Sequence, residues 1–145
     1  IGQPVLCFVS KQGSYNITRP SGGPIGASVD YSLADGTGPH WGVMLTAGAV
    51  TDRSGTKYTA VDNGASSSDG ARAQVQCMSL SSGSVTATIQ DSADDITYGS
   101  LGTFTSITGQ TQETISISGT VERYVKLVTS GTFSTAVISV AITRL

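Results

Sequence analysis

Residues 72–90 read RAQVQCMSLSSGSVTATIQ, and the fold follows from their period. Ala73, Val75 and Cys77 alternate with Arg72, Gln74 and Gln76. After Ser82-Gly83, Val85, Ala87 and Ile89 alternate with Ser84, Thr86, Thr88 and Gln90. Successive side chains of an extended chain point to opposite faces, so each run sets one face on a core and the other toward water or a neighbour. A surface helix needs apolar residues at i, i+3, i+4 and i+7, and no window of helical length supplies them without glycine or a β-branched run cutting across.

The same period recurs outward from this stretch. Ile115 and Ile117 alternate with Thr114, Ser116 and Ser118. Ala136, Ile138, Val140 and Ile142 alternate with Thr135, Ser139 and Thr143, while Val137 and Ala141 make the second face partly apolar. Ser82-Gly83, Asp94-Asp95, Gly109-Gln110, Gly119 and Ser130-Gly131 punctuate the runs at roughly the 8–12-residue spacing of an antiparallel sandwich or barrel. In the N-terminal third, strands are expected near Val5–Ser10, Ser14–Thr18, Ala27–Ala34 and Gly42–Thr46. Pro4, Pro20, Pro24 and Pro39 fall at their margins, where a missing ladder donor does little harm. The expectation is an all-β antiparallel β-sandwich of jelly-roll or Ig-like type with little or no helix, one domain over residues 1–145. Its core is expected to include Val75, Val85, Ile89, Phe104, Ile115, Ile117, Val125, Leu127, Ile138 and Val140.

One segment departs from this rhythm. Ala47–Gly70 reads AGAVTDRSGTKYTAVDNGASSSDG, with Tyr58 and Val61 as its plausible anchors. A structureless loop of this length is uncommon in a compact domain and is usually functional or mobile. A short strand around Lys57–Val61, closed by a turn at Asp62-Asn63-Gly64, would shorten it. The competing readings are a surface excursion and an arm that contacts a neighbouring copy.

Composition narrows the function. The chain has 145 residues, about one domain's worth, with 40 Ser and Thr, 18 Gly and 12% charged residues. A net charge of −2 with eight scattered Lys and Arg leaves no patch to neutralise phosphates, so specific nucleic-acid binding is not expected. No apolar run reaches the length of a membrane-spanning helix, and no membrane partner is expected. Beginning at Ile1 within a strand-like stretch, without an initiator methionine or a signal sequence, the chain reads as a processed product or a fragment.

Catalytic patterns are weak. A Ser-His-Asp triad would have to use His40, the one imidazole, which stands between Gly38-Pro39 and Trp41 at the entry to a strand. No G-x-S-x-G elbow accompanies it, and Ser66-Ser67-Ser68 lacks the closing glycine. Asp91, Asp94 and Asp95 in DSADD could bind calcium, but the run lacks the glycine and terminal glutamate of an EF-hand loop. Bonding of Asp side chains to their own turn is the better reading. Cys7 and Cys77 form no C-x-x-C pair, so they suit buried small hydrophobes better than zinc ligands, and a disulfide between them cannot be inferred. Ten scattered acids nominate no glycosidase pair, and no glycine-rich phosphate loop opens a helix. Neither metal nor cofactor is expected. Asn16-Ile17-Thr18 is a formal glycosylation sequon whose default reading is a chance match. Tyr15, Tyr31, Trp41, Tyr58, Tyr98 and Tyr124 are dispersed, and strand aromatics most often pack across strands.

Four short stretches carry a resemblance. They are Val61-Asp-Asn-Gly-Ala65, then Ile89-Gln-Asp-Ser-Ala-Asp94 with Leu101-Gly-Thr-Phe104 after it, and finally Arg123-Tyr-Val-Lys126. Such a series resembles the jelly-roll-like modules of carbohydrate-binding and discoidin-type proteins. It more closely resembles structural proteins of tailed bacteriophages, over roughly residues 25–145. Within that group it looks most like a major tail (tail-tube) protein, usually a longer chain, while a capsid decoration protein suits the present length better. The resemblance implies a non-enzymatic virion subunit that assembles with copies of itself in a ring or lattice and contacts other virion proteins. Tyr58, Val61, Asp62 and Asn63 are then the expected assembly contacts, together with the N-terminal strand. Under the carbohydrate-binding alternative, Trp41 and Tyr98 are the expected glycan contacts.

Overall fold

A computed structural model describes residues 1–8, 10–18, 21–23, 26–33, 39–52 and 56–145, and every regular element among them is a strand. The strands are β1 (Pro4–Cys7), β2 (Ser10–Thr18), β3 (Gly26–Leu33), β4 (His40–Met44), β5 (Val50–Asp52) and β6 (Val61–Asp62). They continue with β7 (Ala71–Leu80), β8 (Gly83–Ser92), β9 (Gly99–Thr103), β10 (Thr111–Ile117), β11 (Tyr124–Phe133) and β12 (Ala136–Arg144). The four strands expected in the N-terminal third correspond to β1 to β4 with shifted bounds, Ser10 belonging to β2 and Leu45 and Thr46 lying beyond β4; Val9, Pro20, Pro24 and Ala34 lie outside the described residues. The chain divides into two compact units, one of Ile1–Val5 with Trp41–Leu145 and one of Leu6–His40.

The larger unit is an antiparallel β-sandwich. One sheet runs β1-β4-β12-β7-β10, with β5 also pairing β12, and the other runs β6-β11-β8-β9. Ala71, Ala73, Val75 and Cys77 of β7 and Ala136, Ile138, Val140 and Ile142 of β12 face the core from the first sheet. Val85, Ala87 and Ile89 of β8 with Val125 and Leu127 of β11 face it from the second, so the alternating positions of the two long strand pairs meet in one apolar cluster. Of the ten expected core residues, nine are buried and Ile115 is half-buried against the cluster. Leu45, Ile107, Val121 and Phe133 join them from segments without clear alternation.

The turn at Ser82-Gly83 differs from a simple hairpin. β7 and β8 belong to different sheets, so this turn is a corner at which the chain crosses the sandwich. Gly83 holds φ +78, and a Cβ there would stand 1.8 Å from the Thr132 carbonyl oxygen, which leaves glycine as the one residue that fits. Ser134-Thr135 makes the neighbouring corner from β11 to β12. The two corners are tied together, with Ser81 donating its amide to the Thr135 carbonyl at 2.9 Å and the Ser82 and Ser134 hydroxyls 2.8 Å apart.

β12 pairs its first residues with β5 and its later ones with β4. Between them the buried Thr46 hydroxyl accepts the Val140 amide at 3.2 Å and donates to the Gly48 carbonyl at 2.7 Å. A side chain thus fills the gap where the backbone ladder changes partner, and no buried amide is stranded at Val140.

The smaller unit contains β2 and β3 as an antiparallel ribbon. Its register runs from Ser10↔Leu33 to Thr18↔Gly26, with a bulge between Gln12 and Ser14. Every ribbon side chain that the structure describes is exposed.

Candidate functional site

Within the stretch from 47 to 70, Val50–Asp52 forms β5 on the first sheet, and residues 56 to 67 are laced along the edge of the four-stranded sheet. Its expected strand near Lys57–Val61 resolves into an isolated bridge, Lys57↔Val128, followed by β6, which pairs Val61 and Asp62 with Val125 and Tyr124 of β11. A last bridge joins Ser67 to Val121. The Thr129 amide donates to the Thr56 carbonyl and the Tyr58 amide to the Leu127 carbonyl, each at 3.0 Å. Consequently Val61 is buried in the core and Tyr58 packs half-buried against it.

Asp52 and Thr129 connect the two sheets. The buried Asp52 carboxylate on β5 accepts hydrogen bonds from the Thr129 hydroxyl on β11 and the Thr56 hydroxyl. The Tyr58 phenol also bonds it. Burial first, and then the negative charge of Asp52, push that phenol up to about 12.

A second cluster forms where β6, the start of β11 and the end of β8 lie side by side. Register places Asp62, Tyr124 and Ser92 level across the three strands. Arg123 grips Asp62 with two parallel bonds, Nε to Oδ1 and Nη2 to Oδ2, each 2.7 Å. Asn63 donates its amide and its side-chain Nδ2 to the Arg123 carbonyl at 3.0 and 3.1 Å. The Asp62 Oδ1 also caps its own turn by accepting the Gly64 amide at 2.8 Å, as an Asx turn does. The Arg123 bonds and then this amide hold the Asp62 carboxyl down at about 2.

Two aromatic rings complete this face. The Arg123 guanidinium lies 4.9 Å from the centre of the Tyr124 ring, and the Lys126 ammonium lies 3.1 Å from that of Tyr98. The Tyr98 phenol donates to Asp95, and its pKa is raised by burial and by that bond. Asp94 closes the turn below by accepting the Thr97 and Ile96 amides at 2.9 and 3.0 Å and the Ser92 hydroxyl at 2.8 Å, which lowers it to about 2. Each ring therefore carries a cation, with a carboxylate bonded to the phenol of one pair and to the guanidinium of the other. Asp62, Asp94 and the Tyr98 phenol all titrate far from neutrality, so none is poised as a general acid or base near pH 7. The arrangement can bind or brace.

The other candidates are placed as follows. Trp41 on β4 is 73% exposed, whereas Tyr98, just before β9, is half-buried beneath Lys126. His40 is half-buried at the start of β4. The Ser67 hydroxyl donates to the Leu145 carbonyl at 3.3 Å. Cys7 and Cys77 are buried free thiols. Among the described residues, no group of three His, Cys, Asp or Glu is placed to hold a metal ion, and no helix is long and apolar enough to cross a membrane. The contact between Asp62 and Arg123 had no sequence signal beyond the order of the short motifs, because a pair 61 residues apart leaves no periodic trace.

No family model and no curated protein matches the chain. A chain in the structure of infectious bursal disease virus, Gx strain, superposes with a TM-score of 0.35 and 14% identity, over 99% of this chain and 33% of that one. This chain thus spans about a third of the length of that solved chain, a likeness too slight to carry a functional argument.

Proposed function

We propose that this chain is a non-enzymatic virion structural subunit that assembles in many copies, with a tail-tube subunit as the first reading and a capsid decoration protein as the second. The observation that supports it is the convergence of three short motifs. Val61–Ala65, Ile89–Asp94 and Arg123–Lys126 are far apart in sequence, yet they meet at one end of the four-stranded sheet. The polar groups there brace a turn and an edge, which is the rigidity that a repeated building block needs. An open sheet edge, here the segment from 56 to 68, is the kind of surface that joins neighbours by strand addition. Tyr58, Val61, Asp62 and Asn63 lie along that edge, and their part in assembly is to present its backbone. The partners are copies of the chain itself and other virion proteins. The test is size-exclusion chromatography with light scattering, followed by negative-stain imaging. Rings, tubes or lattices of regular repeat are expected, and a strictly monomeric species at every concentration would sink the reading.

The carbohydrate-binding alternative draws on one observation, the exposed indole of Trp41. It requires monomers with a glycan-array signal that disappears in Trp41→Ala.

A further inference from the structure

Asn63-Gly64 is the one Asn-Gly pair in the chain. A glycine after asparagine leaves the next backbone nitrogen without a side chain to shield it. Gly64 is also exposed, with open space where a Cβ would stand. In an unrestrained chain the Gly64 nitrogen gives up its proton to base and attacks Asn63 Cγ. The N–Cγ bond forms, the Cγ–Nδ2 bond breaks, ammonia departs and a succinimide ring closes. Water then opens the ring at either carbonyl and leaves aspartate or isoaspartate at position 63.

The fold restrains both reacting groups. The Gly64 amide donates to Asp62 Oδ1 at 2.8 Å, so the proton that must leave is engaged by a carboxylate. A negative charge at that distance also disfavours the amide anion from which attack starts. The leaving nitrogen, Asn63 Nδ2, donates to the Arg123 carbonyl at 3.1 Å, and the Asn63 backbone amide donates to the same oxygen at 3.0 Å. Arg123 serves both restraints, because its carbonyl holds Asn63 while its guanidinium holds Asp62 through two bonds of 2.7 Å. We propose that Asn63-Gly64 is a covalent modification site of succinimide chemistry, held unreacted in the folded chain by Asp62 and Arg123.

The product does not fit the place in which it forms. A carboxylate at position 63 faces the Arg123 carbonyl, acceptor against acceptor, where the amide had donated. Isoaspartate also lengthens the main chain by one carbon beside β6, whose pairing with β11 covers only Val61 and Asp62. Reaction therefore loosens this edge of the four-stranded sheet. All the groups involved belong to one chain, so assembly plays no part in the restraint.

Incubation in warm, mildly alkaline buffer, followed by tryptic digestion and mass spectrometry, tests this. The tryptic peptide Tyr58–Arg72 contains Asn63 as its single side-chain amide, so conversion of amide to acid there is assigned to this residue. The natural chain unfolded in guanidinium chloride is expected to form both acids, and the folded chain to react at least about tenfold more slowly. Folded Asp62→Ala is expected to react about tenfold faster than the folded natural chain, the rate equivalent of one hydrogen bond to a charged group, with Arg123→Ala between the two. Both side chains are at the surface, so circular dichroism should show the sandwich intact in each variant. Thr129→Val, which weakens the sandwich away from this turn, should keep the natural rate. An unfolded chain that does not convert, a folded chain that converts as fast as the unfolded one, or Asp62→Ala or Arg123→Ala at the natural rate overturns the proposal. Equal acceleration by Thr129→Val also overturns it, since protection would then come from global stability.

Discussion

Ile17 in the ribbon and Ile89 in the sandwich occupy equivalent positions in their own strands. Each follows a polar residue and precedes another, and each shares its face with an apolar residue two positions before it, Tyr15 and Ala87. Ile89 is fully buried, yet Ile17 is 56% exposed. Alternation specifies a strand and an apolar side, but what covers that side is a separate matter of how many strands are available. β8 has β9 and β11 beside it and the β7–β12 sheet against its face, whereas β2 has only β3 among the described residues.

The most severe way to break the comparison is Ile89→Asp. An unpaired carboxylate at a fully buried position costs several kcal/mol, a large part of the roughly 5–15 kcal/mol that holds a domain together. Loss of the cooperative melt by circular dichroism is expected, and an unchanged transition would refute both the strand and its facing.

Thr129→Val should act less drastically. It keeps the shape of the side chain but removes a hydroxyl that bonds the buried Asp52, at a cost of about 1–3 kcal/mol in urea unfolding.

A smaller effect sharpens the role of the surface cluster. Asp62 is held at about 2 against an ordinary 3.8, so its contribution is complete above pH 3.8 and disappears as pH falls through about 2. Arg123→Ala removes the first cause of that depression. The variant should show a shallower decline of stability in this acid window, the residual slope belonging to Asp94, which its own turn amides hold low. Identical acid profiles would mean that the bidentate pair does not form in solution.

At the small end lies Ile17→Asp. The substitution that destroys folding at Ile89 is expected to leave the melting transition of the sandwich unchanged here, because Ile17 already faces water. A large drop in that transition would show that the ribbon's apolar side is covered within the monomer.

Legibility in the sequence follows the same division. The long strands that supply both partners of the core, β7, β8, β11 and β12, announce themselves by period, and so do the buried residues they carry. Val121 and Phe133 escaped because a single apolar residue beside a corner has no period to report. The stretch from 47 to 70 reads as a loop because the order of its described parts comes from backbone pairing with β12 and β11, which any side chain permits. Ser82-Gly83 is readable as a turn, but its crossing between sheets is not, since a hairpin and a corner use the same residues. The candidate site was visible as separate motifs. Their meeting depends on the pairing of β6 and β8 with β11, a long-range fact.

The route of the chain into and out of the ribbon has an evolutionary consequence. Gly2 and Gln3 exchange hydrogen bonds with Met44, so the strand that precedes the ribbon and the strand that follows it are already neighbours in one sheet. By topology the ribbon is an insertion of about 35 residues between paired strands. Closing such an excursion costs entropy that grows only with the logarithm of its length, about 0.6 kcal/mol for each doubling. Lengthening or shortening it is therefore cheap in closure entropy, and the scaffold can carry excursions of different length at the same place.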